Sequence, residues 1–323
     1  MIIAVIGCGN IGLKRLKALE DERDVRVAAL VESSSERIEF LKQQFTFDVR
    51  GDHREVLSRN EIDAVIVSTP PDASYQIILD CLGAGKDVLC EKPLGRNVEE
   101  ARTISQLAYA KKAVLKCGFN LRHDVGLQTA VDWLKEGKIG APYFFKCSYV
   151  NGTVAVNSNR VGSLHDMGTH VIDLARWFVG EVESAQARLD RFEYGVKPLD
   201  DNGFGILHSG SVPCMVHFSF VRWMNNFTLE ITGDKGTIEV RNLPKWGTQQ
   251  VVLHRRVFPA GIPEVHTSSF EGDQSWKREW LEFSRCVRDR DLKWNQDGLK
   301  AMQVAASLRR SSEEGRPARV VYE

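Results

Sequence analysis

No stretch of this 323-residue chain is apolar for the ~20 residues that a bilayer crossing needs. Neither charge sign is in excess, since 43 Lys and Arg balance 43 Asp and Glu. The first absence sets aside a membrane-spanning helix. The second removes the basic surplus typical of polyanion-binding proteins, so neither membrane nor nucleic acid is an expected partner. Cysteine is sparse and unpatterned: seven residues, at 8, 81, 90, 117, 147, 214 and 286, form no C-x-x-C pair. Their odd number argues against a disulfide framework, and reduced thiols in a cytoplasm are expected. H-E-x-x-H is missing as well. "GSLHDMGTH" (162–170) crowds His165, Asp166 and His170 together, but two histidines at i, i+5 make a poor helical pair, and no metal is expected. The opening "MIIAVIGCG" has no basic residue ahead of a short apolar run and reads as a buried strand rather than a secretion signal. What is present, 43% hydrophobic and 27% charged residues over a length suited to two domains, describes a globular protein.

The first third alternates short β-branched runs with amphipathic stretches. "IIAVI", "VRVAALV", "DAVIVST", "KDVLC" and "AVLKCGF" are each bounded by turn residues. Continuous apolar runs of this kind suit strands buried on both faces, and their alternation with helices predicts a doubly wound parallel sheet. The first strand-to-helix turn, "GCGNIG", fits G-x-G-x-x-G in the required context. Gly7 permits the tight turn, Gly9 lets backbone approach a pyrophosphate, and Gly12 lets helix and strand pack closely. The helix start at Asn10 and Ile11 offers N–H groups and a positive dipole end to phosphates. Glu32 ends the second strand, 20 residues past Gly12 (32 − 12). A carboxylate there accepts from a ribose 2′-OH and repels a 2′-phosphate, which favours NAD over NADP. Arg37 and Ser33–Ser35 lie close enough in sequence to soften that choice.

Four further motifs follow: "STPPDAS", "CEKPL", "CGFNLRH" and "DMGTHVIDLARW". Their order and spacing, with "GKIGAPYFFK", "FTLEITGDKGTIEV" and the closing "GLKAMQVAASLRRSSEEGRPARVVY", resemble the glucose–fructose oxidoreductase / inositol dehydrogenase / MocA family of NAD(P)-dependent oxidoreductases over nearly the whole chain. The resemblance implies an α/β Rossmann domain over 1–119. It also implies an α+β substrate and assembly domain with a large open antiparallel sheet over 120–323, its last helix packing back on the first. It places Lys92, Asp166 and His170 beside the nicotinamide as catalytic residues, and Glu91 and Lys92 at the nicotinamide ribose. Ser68, Thr69 and Pro70 would lie along the cofactor, and Asn120 at its nicotinamide end. A cis Lys92–Pro93 bond is a common feature of the family. One departure stands out: the family commonly has histidine where this chain has Ser74, so no ring contact with the cofactor is assigned there.

The second part reads as a helix at 123–136, a polar loop at 151–162, a helix at 164–179, consecutive strands, and helices near 273–289 and 297–313. On an α-helix Asp166 and His170, four apart, share a face. Asp173, three further on, is placed to support His170 or cap a neighbouring segment. Oxidation of a secondary alcohol needs a base for the hydroxyl proton as hydride leaves. His170, whose unperturbed pKa of ~6.5 lies near neutrality, fits that role. Lys92 fits hydrogen-bond donation to the reacting oxygen or a share in the proton relay. Which of the two is the base stays open. Lys92, Arg122, Asn157, His165 and His170 are the expected substrate contacts. The family's range implies a sugar, cyclitol or nucleotide-linked sugar. A cofactor-binding sensor without turnover is the alternative, because fold does not dictate function; an imine or enone reductase would need no D-x-x-x-H base. Alternating apolar residues in "CMVHFSFV" and "TLEITGDKGTIEV" predict a homodimer or homotetramer through the antiparallel sheet.

Overall fold

A computed structural model describes residues 1–152, 161–193, 199–259 and 261–322. The chain forms two compact units, Met1–Phe119 with Trp276–Met302, and Asn120–Ser275 with Gln303–Glu323.

The first unit contains strands β1 (Ile2–Ile6), β2 (Arg26–Val31), β3 (Asp48–Arg50), β4 (Ala64–Val67), β5 (Asp87–Cys90) and β6 (Leu115–Cys117). Between them run α1 (Asn10–Lys17), α2 (Ser35–Gln44), α3 (Arg54–Leu57), α4 (Pro71–Gly83) and α5 (Val98–Ala110). All neighbouring strands pair parallel in the order β3-β2-β1-β4-β5-β6. Strand order reverses between β1 and β4, the kind of switch point where open parallel sheets bind ligands beyond their carboxyl ends. Ile3, Val5, Leu30, Ile66 and Leu89 are fully buried in the core, each contributing roughly 1.5–3 kcal/mol of apolar transfer.

The second unit holds α6 (Val125–Lys135), β7 (Pro142–Val150), α7 (Thr169–Val179), β8 (Ser184–Asp190), β9 (Asn202–Ser209), β10 (Val212–Ser219), β11 (Asn226–Gly233), β12 (Gly236–Arg241), β13 (Gln249–Arg255) and β14 (Glu264–Phe270). Its nine-stranded sheet has the order β14-β13-β12-β11-β7-β10-β9-β8-β15, with β15 at Ala318–Arg319. The sheet is mixed rather than wholly antiparallel, because β7 and β10 pair parallel. Enough chain separates those two strands, α7 included, for a parallel return.

The chain returns to the first unit over Trp276–Met302. The helix that packs there is α8 (Ser275–Asp289), whose Trp280, Phe283 and Cys286 join the parallel sheet's core. The last helix, α9 (Asp297–Glu314), belongs to the first unit up to Met302 and to the second from Gln303. Asn295, between the two helices, holds β6 by accepting from Leu115 N–H and donating to the Ala113 carbonyl, both at 2.9 Å. None of the helices among the described residues is long and apolar enough to cross a membrane.

Candidate functional site: a dinucleotide turn and an acid–base helix

In the first unit β1 delivers the chain into the glycine turn. Gly7 has φ +85°, and a Cβ there would lie 2.8 Å from Ser68 and Thr69 atoms. A Cβ on Gly12 would come within 2.0 Å of the Gly7 carbonyl oxygen. Side chains are therefore excluded at both positions. Over Gly9 the space is open, with nothing within 4 Å of an added Cβ. Gly9 caps α1 without a side chain, and the first turn, from Asn10 through Gly12, carries no acidic residue. The helix start thus keeps its unspent N–H groups and positive dipole end for an anion.

Glu32 is fixed against this turn. One carboxylate oxygen accepts from Cys8 N–H at 3.1 Å, and the other from Ser33 N–H at 2.8 Å and Ser34 N–H at 3.2 Å. Arg37 Nε donates to the Cys8 carbonyl at 3.0 Å, and its guanidinium lies over the Phe40 ring. Burial, then the Glu32 charge, pushes the Cys8 thiol up to about 12, so the cysteine is an inert packing group. Ser68 Oγ and Thr69 Oγ1, ahead of exposed Pro70, are buried without a hydrogen-bond partner among the described residues. Unspent hydroxyls, open space over Gly9 and an uncapped helix start fit a bound dinucleotide. Ser74 is turned locally onto the Pro71 carbonyl.

Beyond β5, Lys92 is half-buried and its bond to Pro93 is cis. Glu91, which the family resemblance puts at the nicotinamide ribose, pairs with Arg15 in the structure. Its Oε1 accepts from Arg15 Nε at 2.8 Å and lies 2.7 Å from Arg15 Nη2. Arg15 also pairs with Glu279 of α8 and stacks on Trp276. Arg15 and Glu279 are both buried. Burial pushes the Glu279 carboxyl up, against the pull of Arg15 and Lys116. A buried cation flanked by two carboxylates thus braces the E-K-P turn.

In the second unit the helix expected over 164–179 is not a single α-helix. Leu164–Gly168 is a π turn that leads into α7. Asp166 lies in that turn, half-buried, and His170 is buried at the start of α7. The His170 ring stands 5.8 Å from that of Tyr149 on β7, which stands 5.8 Å from Trp246. Lys245 Nζ donates to the Tyr149 hydroxyl at 2.7 Å and lies 4.7 Å from the Trp246 ring centre. His165 is half-buried, and desolvation followed by the Arg309 charge pushes its pKa down to about 4. It is a neutral imidazole near pH 7.

Two residues expected at the site have partners within the second unit. Arg122, read from sequence as a substrate residue, donates from Nε and Nη2 to the two carboxylate oxygens of Asp173, at 2.8 and 2.6 Å. Asp173 thus answers Arg122, with Arg176 Nη1 3.7 Å away. A carboxylate buried on α7 needs a cation, and the bidentate fork of Arg122 provides one. Asn120 Nδ2 donates to Ser275 Oγ at 2.8 Å. Asn157 lies outside the described residues. Sequence reasoning missed Tyr149, Lys245 and Trp246. The inward alternation of β7 marks Tyr149, whereas "PKWG" carries no pattern that would flag Lys245. Among the described residues no three His, Cys, Asp or Glu side chains are grouped to hold a metal.

A parallel sheet with a glycine turn at its switch point and an acid fixed at the second strand defines a dinucleotide-binding architecture. Residues 1–119 match the family described as an oxidoreductase family with an NAD-binding Rossmann fold, and residues 127–239 match the GFO/IDH/MocA C-terminal domain. The chain is 30% identical over 254 residues to an inositol 2-dehydrogenase of Burkholderia lata, covering 76% of this chain and 75% of that one. With an inositol 2-dehydrogenase of Burkholderia cenocepacia the match spans 54% of that protein's length. A D-apiose dehydrogenase of Paraburkholderia graminis is 25% identical, with 97% of this chain and 88% of that one covered. The fold matches that of a levoglucosan dehydrogenase in complex with NADH, with a TM-score of 0.90, 21% identity and full coverage of both chains. The chain belongs to the GFO/IDH/MocA oxidoreductase family. It is an enzyme, an NAD(P)-dependent oxidoreductase whose first 119 residues form an NAD-binding Rossmann domain.

Proposed function

We propose that the protein interconverts a secondary alcohol and a ketone on a sugar or cyclitol, with NAD as its cofactor. The observation that carries this reading is His170, a buried imidazole at the head of α7 in a chain whose other unit binds NAD. The backbone of Gly7, Gly9, Asn10, Ile11 and Gly12 would hold the pyrophosphate, and Glu32 the adenosine ribose, with Arg37 at the rim. Ser68, Thr69 and Pro70 would line the cofactor's path, and Asn120 its nicotinamide end. When bound, the nicotinamide supplies a hydride acceptor.

His170 takes the hydroxyl proton, which requires a ring nitrogen within about 2.6–3.2 Å of that oxygen. Lys92 donates a hydrogen bond to the same oxygen and stabilises its developing charge. Asp166 orients His170 or holds a neighbouring hydroxyl. His165, neutral near pH 7, contacts the substrate as a hydrogen-bond partner. The second unit's sheet supports assembly as a homodimer or homotetramer. Ile206 and Met215 are register partners on β9 and β10 and are exposed together with Phe204. Light scattering that shows a monomer at micromolar concentration excludes this assembly. The seven cysteines are free and buried, as a reducing cytoplasm would keep them.

The test of the reaction is NADH formation from NAD with myo-inositol, D-apiose and levoglucosan, the substrate types named for its relatives. Turnover of one of them, or of a related polyol, is expected. Tight NAD binding without turnover of any sugar or cyclitol would overturn the proposed reaction.

A further inference from the structure

The turn that carries Asp166 is held by a residue far away in the chain. π turns are rare and are frequently found at functional sites. The first N–H groups of any helical turn need partners from outside it, and the N-cap residue Ser163 gives no side-chain cap here. The Gly162 carbonyl accepts from the His165 and Asp166 N–H groups, both at 3.1 Å, and the partner from a distant segment is Asp200, buried just ahead of β9. Its Oδ2 accepts from the Leu164 N–H and from the Ser163 hydroxyl, both at 2.7 Å. Its carbonyl accepts from the Ser163 N–H at 2.8 Å. Its Oδ1 accepts from Arg309 Nη2 on α9 at 3.1 Å. Glycine at 162 makes the approach possible, because a Cβ there would lie 2.5 Å from Asp200 Oδ1. From the other side, the Thr169 hydroxyl donates to the carbonyls of His165 and Asp166, at 3.0 and 3.1 Å.

A carboxylate is costly to bury without partners, and the partners of Asp200 lie on the π turn or brace it. We infer that Asp200, backed by Arg309, is a positioning residue that holds the turn in the register aiming Asp166 and His170 at the reacting alcohol. This rests on the reading of His170 as the base and of Asp166 as the residue that orients it or holds a neighbouring hydroxyl. Asp200 itself acts through the turn, as a side-chain cap supplied from a distant segment.

The test uses the full chain with NAD and the polyol found active. Asp200→Asn keeps the shape and an acceptor oxygen but removes the charge facing Arg309. Amide exchange across 164–170 is expected to quicken about tenfold as the local anchor weakens. The kcat is expected to fall about 10²-fold, the scale of an ångström-level misplacement, while the KM for NAD stays within about twofold. In a His170→Ala background Asp200→Asn should cost no further turnover, whereas a merely structural role would depress turnover equally in both backgrounds. Unchanged exchange at 164–170, wild-type kcat, or equal losses in both backgrounds overturns the inference. If Asp200→Asn fails to fold, Arg309→Met and Ser163→Ala give the same readouts. A wild type that oxidises no polyol sinks the proposed reaction and the positioning role with it. A wild type that turns over while Asp200→Asn does so equally well sinks the positioning role alone.

Discussion

The two units build their shares of the chemistry from different materials. For the dinucleotide the first relies mainly on backbone: a turn in which Gly7 and Gly12 admit no Cβ, an uncapped helix start, and a carboxylate pinned by three N–H groups. The second uses side chains brought from distant segments. His170 lies beside Tyr149 of β7, Tyr149 is held by Lys245 from beyond β12, and the π turn is fixed by Asp200. A backbone site needs a short contiguous pattern, so it can be read in one stretch of sequence. A side-chain site needs tertiary packing to exist at all.

The largest effects should break this contrast if it is wrong. Removing the proposed acid–base groups, Lys92→Ala or His170→Ala, is expected to lower kcat by about 10²–10⁴-fold. NAD binding, measured by titration calorimetry, should be nearly unchanged by His170→Ala. A loss of NAD affinity in His170→Ala as large as the loss of kcat would mean that the two functions are not divided in this way. Next comes the packing that supports the second unit. Arg122→Met leaves Asp173 as a buried carboxylate short of its main cation, a change that costs about 3–5 kcal/mol in comparable pairs. It should appear in the thermal midpoint, with the KM for substrate little altered in the protein that remains folded. A large rise in that KM alone would restore Arg122 as a substrate contact.

A smaller effect tests the first unit. Glu32→Ser removes the acceptor for the ribose hydroxyl and the repulsion toward a 2′-phosphate. The ratio of kcat/KM for NADP over NAD should rise on the order of tenfold, equivalent to about 1.4 kcal/mol. The smallest expected effect is on pH. The pKa of His165 is about 4 in the fold against 6.5 for an ordinary histidine. Above about 6.5 the ring is neutral in both states and costs nothing. As pH falls from there toward 4, the unfolded chain binds a proton that the folded chain refuses, so stability declines. His165→Gln should flatten that decline by about 1–3 °C in the thermal midpoint between pH 6.5 and 5.

The parallel sheet, the glycine turn, Glu32 and the placement of Asp166 and His170 at one helix start were legible because each rests on local periodicity or spacing. Four features were not. The ion pairs of Glu91 and Arg122 depend on which buried charges meet in three dimensions, and no spacing along the chain encodes that. The π turn adds one residue to a helix whose apolar periodicity still reads as α. The parallel β7–β10 pair follows from the path of the connecting chain, not from the alternation within either strand. Lys245 and Trp246 sit in a short turn whose composition resembles any surface loop.

The most direct test of the central claim compares wild type and His170→Gln in one assay, NADH formation from NAD and the active polyol, with NAD affinity measured alongside. His170→Gln is expected to lose most of the rate, about 10²–10⁴-fold in kcat, while still binding NAD. Turnover in His170→Gln at the wild-type rate would contradict the role of His170 as the base.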